Sequence, residues 1–272
     1  MTLPGKGWRA YDPNVESVFQ PGHLLREARR QRNLPDQPVP PIGVLDPDGD
    51  LVAYLRRNGR ARPSPGWACY HTVLDEFELP DGTGAGVVGC AVGAPFAVLV
   101  AEQLFASGCR LLVSVTSAGR IADLGEPPYA VLIDGALRDE GTSAHYLPEG
   151  AGPFVSAPDR RLLDRVQARL LRDAVPLHRG PTWTTDAPYR ETADAIAAAR
   201  AQGALAVEME AAALYAFATA SRRPVVCFAH VTNTMGQQAG PDFEKGEAAG
   251  ALDALRLISA AADAFQRETA PV

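Results

Sequence analysis

Short apolar segments alternate with helical patterns along most of this 272-residue chain, and this alternation constrains its fold more than any other feature. From Trp67 onwards, strand-like runs include residues 67–79, 86–92, 111–115, 130–133, 204–207 and 224–229. Helical periods cover residues 95–107, 159–173, 192–202, 209–221 and 247–265. Strands separated by helices favour a mostly parallel sheet covered on both faces. We therefore predict an α/β fold.

The first 41 residues have a different composition, rich in proline, arginine and glutamine. They include a predicted short helix over residues 23–33, followed by Pro35, Pro38, Pro40 and Pro41. The remaining length suits one large domain, because α/β domains commonly reach this size as a single unit. We predict an N-terminal arm at residues 1–41 and one domain at residues 42–272.

Charge, hydropathy and cysteine spacing exclude several classes of protein. The chain has 26 basic and 32 acidic side chains, a formal net charge of −6 that disfavours nonspecific binding to nucleic acid. The most apolar stretch, residues 91–106, is shorter than the roughly 20 residues of a membrane span. The four cysteines are far apart and form neither a CxxC pair nor a zinc motif, which predicts buried, reduced thiols. With no signal peptide in view, we expect a cytoplasmic protein without membrane or nucleic-acid partners.

Gly84, Gly86 and Gly89 match the GxGxxG fingerprint of dinucleotide-binding proteins. The fingerprint requires a strand before the glycines and a helix that begins within them. Here the glycines follow Asp81 and Gly82 and lead into a strand-like segment, which predicts a β-hairpin. We therefore do not expect bound NAD.

Polar side chains concentrate where the predicted strands end. In open α/β sheets, ligands bind outside the carboxyl ends of the strands, so these segments are candidate site residues. The segments are residues 116–120, 134–146, 184–190, 208–210 and 230–234.

The sharpest local pattern is Glu208, Met209 and Glu210 followed by three alanines, at a junction between strand and helix. A helix N-terminus attracts anions, so either glutamate can act as a helix cap. A carboxylate at such a junction can also bind the vicinal hydroxyls of a sugar. The pattern alone leaves both roles open.

The run VEMEAAALYAFA at residues 207–218 resembles the signature of the purine nucleoside phosphorylase and uridine phosphorylase superfamily, which includes related nucleosidases. TSAG at 116–119, RDEGTSAHYLP at 138–148 and WTTDAPYRET at 183–192 occur in the same order, so the resemblance covers roughly residues 67–265. It implies a single α/β domain whose central mixed sheet bends toward a barrel. It also implies a nucleoside substrate, no metal, no cofactor beyond inorganic phosphate as co-substrate, and a homo-oligomer (dimer, trimer or hexamer).

The resemblance also implies roles for individual residues. Glu210 would hold the ribose 2′- and 3′-hydroxyls, with Met209 packed under the sugar and Glu208 beside them. Residues implied for phosphate or the attacking water are Thr116 and Ser117, with Arg120 and Arg138 as candidate cations. Residues implied for the base are Ala118, Gly119, Tyr189, Arg190 and Asn233.

The chain departs from the family pattern at two places. Asn233 stands where hexameric purine enzymes have an aspartate, and a carboxamide forms hydrogen bonds but is no proton acid, which favours a 6-oxopurine or uridine-type base over adenine. Ser114 replaces an arginine before the TSAG segment. A second expected arginine falls in a turn that holds Asp46, Asp48 and Asp50, carboxylates that would repel phosphate.

The resemblance implies a pentosyltransferase that cleaves the N-glycosidic bond of a ribonucleoside by phosphorolysis and releases ribose 1-phosphate. The missing arginines leave two alternatives. One is a nucleosidase that uses water, with Glu140 or Glu208 as base, and the other is a nucleoside-binding subunit without activity. Arg26, Arg29 and Arg30 of the arm are further candidate cations, if they reach the site of a neighbouring subunit.

Overall fold

The computed structural model describes residues 12, 15–148, 150–173, 176–235 and 243–269. Within them the helices are α1 (Pro21–Arg32), α2 (Asp50–Arg57), α3 (Ala94–Ala106), α4 (Arg160–Arg172), α5 (Ala193–Ala201), α6 (Ala211–Ser221) and α7 (Ala251–Thr269). The strands are β1 (Ile42–Asp46), β2 (Arg62–Pro63), β3 (Asp75–Glu78), β4 (Gly84–Gly89), β5 (Leu111–Arg120), β6 (Tyr129–Asp139), β7 (Phe154–Ser156), β8 (Leu177–Thr185), β9 (Ala206–Glu208) and β10 (Val225–Asn233). Short 3₁₀ helices lie at Thr142–His145, Pro188–Arg190 and Glu247–Gly250.

The strands form one mixed sheet in the order β10-β6-β8-β9-β5-β1-β4-β3-β2, with β7 paired to β6. Strand β10 also pairs with β5, so β5, β10, β6, β8 and β9 close into a ring. The longest pairings, β6 with β8 and β5 with β10, are parallel. The predicted mixed, mostly parallel sheet that bends toward a barrel is confirmed.

The helices begin where local sequence signals place them. Pro95 lies in the first turn of α3, where its missing N–H has no helical partner to lose. The Asp159 carboxylate accepts a hydrogen bond from the Leu162 amide at 2.8 Å and caps α4. The Thr192 hydroxyl accepts one from Ala195 at 3.2 Å and caps α5, as its position in the sequence suggests. The apolar face of α4 is buried against the core.

The hairpin interpretation of the GxGxxG segment is confirmed. Strands β3 and β4 pair antiparallel, with Glu78 opposite Gly84, and the Asp81 carboxylate accepts a hydrogen bond from the Thr83 amide in the turn between them. Gly82 has a φ of 84°, a backbone conformation that favours glycine. The glycines therefore build a turn and an adjoining strand of the sheet.

Several boundaries differ from the sequence prediction. Strands β6 and β10 extend past residues 133 and 229, to Asp139 and Asn233. The strand expected from Trp67 begins only at Asp75, and the preceding residues form an irregular segment. Residues 116–119 do not follow a strand but continue β5, because that strand changes partner from β1 to β9 along its length. Helix α6 begins at Ala211, so Met209 and Glu210 lie in the junction before it.

The helix predicted in the N-terminal arm is present as α1, while residues 1–11, 13 and 14 lie outside the described residues. Leu25 and Ala28 of α1 pack on Ala68, apart from the main core. The Arg32 guanidinium donates to the Cys69 carbonyl at 2.9 Å. Helix α1 is thus held against its own chain.

Two further expectations can be compared with the structure. Among the described residues, no helix is both long and apolar enough to cross a membrane. All four cysteines are free thiols, and three are buried as expected. The fourth, Cys90, is exposed because it lies in the loop that follows β4, where its φ is 62°.

Candidate active site

Four segments meet at one edge of the closed ring of strands. They are the carboxyl-terminal part of β5, the end of β10, the junction between β9 and α6, and the loop at residues 46–50 between β1 and α2. Three of these segments contain residues that the sequence singled out as site residues, and the fourth is the acidic turn where a cation was expected.

Glu208 has all of its hydrogen-bonding capacity occupied by the protein. Its Oε1 accepts from the hydroxyls of Thr182 and Thr184, and its Oε2 accepts at 2.7 Å from the backbone amides of Glu210 and Ala211. Those amides open helix α6, where a carboxylate satisfies donors that lack a helical partner. Glu208 therefore anchors the junction, and this occupancy favours a structural role over that of a base.

Glu210 is equally buried but keeps one oxygen unused. Its Oε1 accepts from the Gly93 amide at 2.7 Å. Thr116, whose hydroxyl donates to the Ser117 carbonyl at 3.3 Å, lies close to the carboxyl group. Its Oε2 has no hydrogen-bond partner among the described residues, although the side chain is only 1% exposed. Burial, followed by the negative charge of Glu208, raises the pKa of Glu210 to about 8. Such a group is suited to receive a polar ligand.

Asn233 lies opposite Gly119, its partner in the pairing of β10 with β5. The Asn233 Oδ1 accepts a hydrogen bond from the Met235 amide at 3.0 Å, which leaves the NH₂ group as the available donor. A side chain at Gly119 would collide with Met235. The structure thus brings Ala118, Gly119 and Asn233 together, and their role at a base stays a prediction.

Ser117 is already bonded to a carboxylate of the protein itself. Both its backbone amide, at 3.1 Å, and its hydroxyl donate to the Asp48 Oδ2. These are the donors that the resemblance assigns to phosphate or the attacking water. Asp48 therefore occupies the place of an anion at this residue.

The loop at residues 46–50 holds a cluster of charges. The Lys245 ammonium lies 2.5 Å from Asp50 and 3.9 Å from Asp48. Asp46 is buried and accepts from the Val52 amide at 3.0 Å, and burial raises its pKa to about 6. A cavity of about 20 Å³ is lined by this loop, Thr116, Ser117, His230 and the start of α7.

His230 belongs to the same cavity. It is the register partner of Ser117, and paired residues of neighbouring strands point to the same face of a sheet. The ring is 8% exposed and its Nε2 has no hydrogen-bond partner in the described part of the chain. Burial lowers the pKa of His230, which favours the neutral imidazole.

The candidate cations do not converge on Ser117 within this chain. The Arg120 guanidinium donates to the Gly125 carbonyl at 2.9 Å and lies near Asp123 and Glu126. The Arg138 guanidinium donates to the Ser143 hydroxyl and the Gly152 carbonyl. Arginines 26, 29 and 30 form ion pairs with Glu27 or Asp36. Each of these arginines is thus bonded to nearby residues, and its role in binding phosphate stays a prediction.

The remaining candidates divide between the junction and the surface. Met209 lies in the junction, half-buried, beside Glu210. Tyr189 is 99% exposed and Arg190 is exposed, both on the 3₁₀ helix after β8. The Glu140 Oε2 accepts from the Ser143 amide at 2.8 Å. The structure thus leaves Tyr189 and Arg190 away from the buried groups.

Sequence reasoning missed two groups of the site, the Gly93 amide and Lys245. They come from a loop and from a segment after β10, and neither belongs to a motif. His230 was included in the candidate segment 230–234, but no role was predicted for it. Within the described ranges, no group of three or more His, Cys, Asp or Glu side chains is arranged to hold a metal ion.

Comparisons with known proteins find relatives of this chain. The family model described as the phosphorylase superfamily matches residues 41–264. The chain is 27% identical over 166 residues to a guanosine phosphorylase from Halorubrum lacusprofundi, covering 60% of this chain and 68% of that protein. It is 28% identical over 141 residues to a DeoD-type purine nucleoside phosphorylase from Myxococcus xanthus, covering 52% of this chain and 58% of the relative.

A solved structure shares the fold at low identity. The crystal structure of uridine phosphorylase from Vibrio fischeri in complex with 6-hydroxy-1-naphthoic acid superposes with a TM-score of 0.68 at 20% identity. The match covers 84% of this chain and 92% of that chain. The two chains therefore share their fold.

Proposed function

Because the chain belongs to the phosphorylase superfamily, we propose that it is an enzyme that cleaves the N-glycosidic bond of a ribonucleoside and releases the free base. The observation that carries this proposal is Glu210, a buried carboxyl group with a free oxygen at the end of the sheet. A carboxyl group in this setting can accept hydrogen bonds from both vicinal hydroxyls of a ribose. The names of both curated relatives, which are nucleoside phosphorylases, support it.

The reaction needs a sugar held in place while positive charge develops at C1′ and negative charge on the base. Glu210, with the Thr116 hydroxyl and the Gly93 amide beside it, supplies the hold on the sugar. The Asn233 carboxamide, whose oxygen is occupied by Met235, donates a hydrogen bond to the departing base but no proton. This supports a 6-oxopurine or uridine-type base, which carries negative charge better than adenine does.

Two nucleophiles fit this scheme. The curated relatives support phosphate and hence release of ribose 1-phosphate. The second candidate is water, which is favoured by the contact between Asp48 and Ser117. As in the resemblance, we propose a homo-oligomer without a resident metal or cofactor, acting in the cytoplasm.

The test is base release from inosine, guanosine, uridine and adenosine, followed by chromatography in the presence and absence of phosphate. We expect release from at least one of the first three nucleosides and little from adenosine. Binding of nucleosides without any release would overturn the proposal in favour of a nucleoside-binding subunit.

A further inference from the structure

The donors of Ser117 are occupied by a carboxylate that belongs to the chain. The Asp48 Oδ2 accepts from the Ser117 amide and from the Ser117 hydroxyl at once. An incoming phosphate would have to displace this carboxylate before it could use either donor. The contact therefore opposes phosphate at the position where the proposed function needs its nucleophile.

The charges around the cavity also oppose an anion. Asp46, Asp48 and Asp50 lie in one loop, and Lys245 is the cation that the described ion pairs place on that loop. Lys245 is shared between two of the carboxylates, so the local charge stays negative. A phosphate dianion in such a site is repelled, since unlike a neutral ligand it adds charge of the same sign.

The size of the cavity matches a small neutral nucleophile. Its volume is about 20 Å³, and about 10–15 Å³ by this kind of measure is enough for one water molecule. The Asp48 carboxylate already occupies the donors beside it, so the five heavy atoms of phosphate do not fit without movement of the loop.

The cavity wall has the polar partners that a bound water requires. Buried water usually forms about three hydrogen bonds to groups that otherwise lack a partner. The unpartnered Nε2 of His230 is such a group, and the ring is more than nine-tenths buried. Thr116 and Asp48 line the same cavity. A water molecule in this cavity would therefore have polar groups of the protein on several sides.

We infer that water is the nucleophile in this chain and that Asp48 is the base that receives its proton, an inference that rests on the proposed function. The water oxygen forms the bond to C1′ as the bond from C1′ to the base nitrogen breaks. The bonding pair leaves with the base, one proton of the water passes to Asp48, and solvent returns a proton to the base. The products are free ribose and free base, and His230 and Ser117 are positioning residues.

The first experiment identifies the sugar product. The full-length protein is incubated with the nucleoside it cleaves, in phosphate-free buffer and in buffer with added phosphate, and ribose is separated from ribose 1-phosphate by chromatography. We expect free ribose at the same rate in both buffers. Ribose 1-phosphate, formed at a rate that rises with phosphate, would overturn the inference and leave the proposed function intact. No base release in either buffer would overturn both.

The second experiment tests Asp48. Asp48→Asn keeps the shape and an acceptor for Ser117 but cannot take a proton at neutral pH, so we expect kcat to fall about 100-fold or more with KM little changed. Asp164→Asn, on the exposed face of α4, is the matched control and should keep the parental rate. Far-UV circular dichroism and thermal melting establish that both variants fold. An Asp48→Asn variant that is folded and fully active would refute the role of Asp48.

Discussion

Two acidic regions lie against neighbouring residues of strand β5, and they differ in what their carboxylates contact. At the junction of β9 and α6, Glu208 and Glu210 accept from backbone amides and threonine hydroxyls, which are neutral donors. In the loop at residues 46–50, Asp48 accepts from Ser117, and both Asp48 and Asp50 lie close to the Lys245 ammonium. Neutral donors hold the carboxyl groups of the junction, whereas those of the loop also contact a cation.

The comparison separates what the family shares from what is particular to this chain. The junction keeps the signature by which the chain resembles its superfamily, and it surrounds the group proposed to hold the sugar. The loop carries acidic residues where the resemblance leads one to expect a cation. Substitutions in the junction should therefore abolish turnover or weaken the fold, and those in the loop should change the response to phosphate.

The largest effect is expected at Glu210. Two ribose hydroxyls that donate to Glu210 favour its ionised form, and each such bond is worth about 1.5–3 kcal/mol. Glu210→Gln retains one acceptor but cannot ionise when the nucleoside binds. We expect kcat/KM to fall by about 100-fold to 10,000-fold. Steady-state kinetics measure the change, with the exposed Glu78→Gln as control. If the variant kept nearly the parental activity, this region would not be the one that binds the sugar.

The next effect is in the pH dependence of stability, which the junction dominates above the pKa of about 6 of Asp46 in the loop. Because the folded-state pKa of Glu210 is raised to about 8, the folded chain binds more protons than the unfolded chain between about pH 4.5 and 8. The contribution of Glu210 to the free energy of unfolding is therefore largest below about pH 4.5. It decreases as the pH rises from about 4.5 to 8, by up to about 1 kcal/mol per pH unit. Urea unfolding at several pH values measures the slope, which Glu210→Gln should flatten.

A smaller effect is expected at Glu208, which tests the division of roles inside the junction. Glu208→Gln leaves at least one of its four donors unsatisfied and removes a charge at the start of α6. We expect a loss of about 1–3 kcal/mol in the free energy of unfolding. At pH 8 Glu210→Gln should show the opposite tendency, because it removes a buried charge. Equal destabilisation by both substitutions would contradict the contrast.

The smallest effect is expected in the loop. Asp50→Asn removes one carboxylate that repels phosphate and releases Lys245 from its ion pair. Since both side chains are partly exposed, we expect phosphate to bind only about 1 kcal/mol more tightly, or about fivefold. Isothermal titration with phosphate measures this change, with Asp164→Asn again as control. If the unsubstituted protein already bound phosphate tightly, the loop would not repel phosphate. The proposed difference between the two regions would then be wrong.

Local patterns were sufficient for most of the fold. Pro95, Asp159 and Thr192 mark helix starts that the structure reproduces, and Asp81 and Gly82 mark the hairpin. The missed features depend on distant pairing. Strand β5 extends to Arg120 because β9 and β10 pair with it there, and no property of residues 116–119 signals these partners.

The site was predictable where a motif carried it and not where side chains from separate segments meet. The glutamates of the junction were visible as a pair, but only the structure shows that four donors surround Glu208 while Glu210 keeps a free oxygen. The acidic loop was visible in the sequence because it places carboxylates where a cation was expected. Its contact with Ser117, 69 positions away, depends on the parallel alignment of β1 with β5.

Strand β5 has a practical consequence for protein engineering. Thr116 lies beside Glu210 and the next residue, Ser117, bonds to Asp48, so one peptide unit, about 3.3 Å of strand, separates the two halves of the site. Both residues pair with strand β10, which holds this spacing constant. The loop can therefore be redesigned as a separate module to change the acceptor of the glycosyl group while the geometry that holds the nucleoside is inherited unchanged.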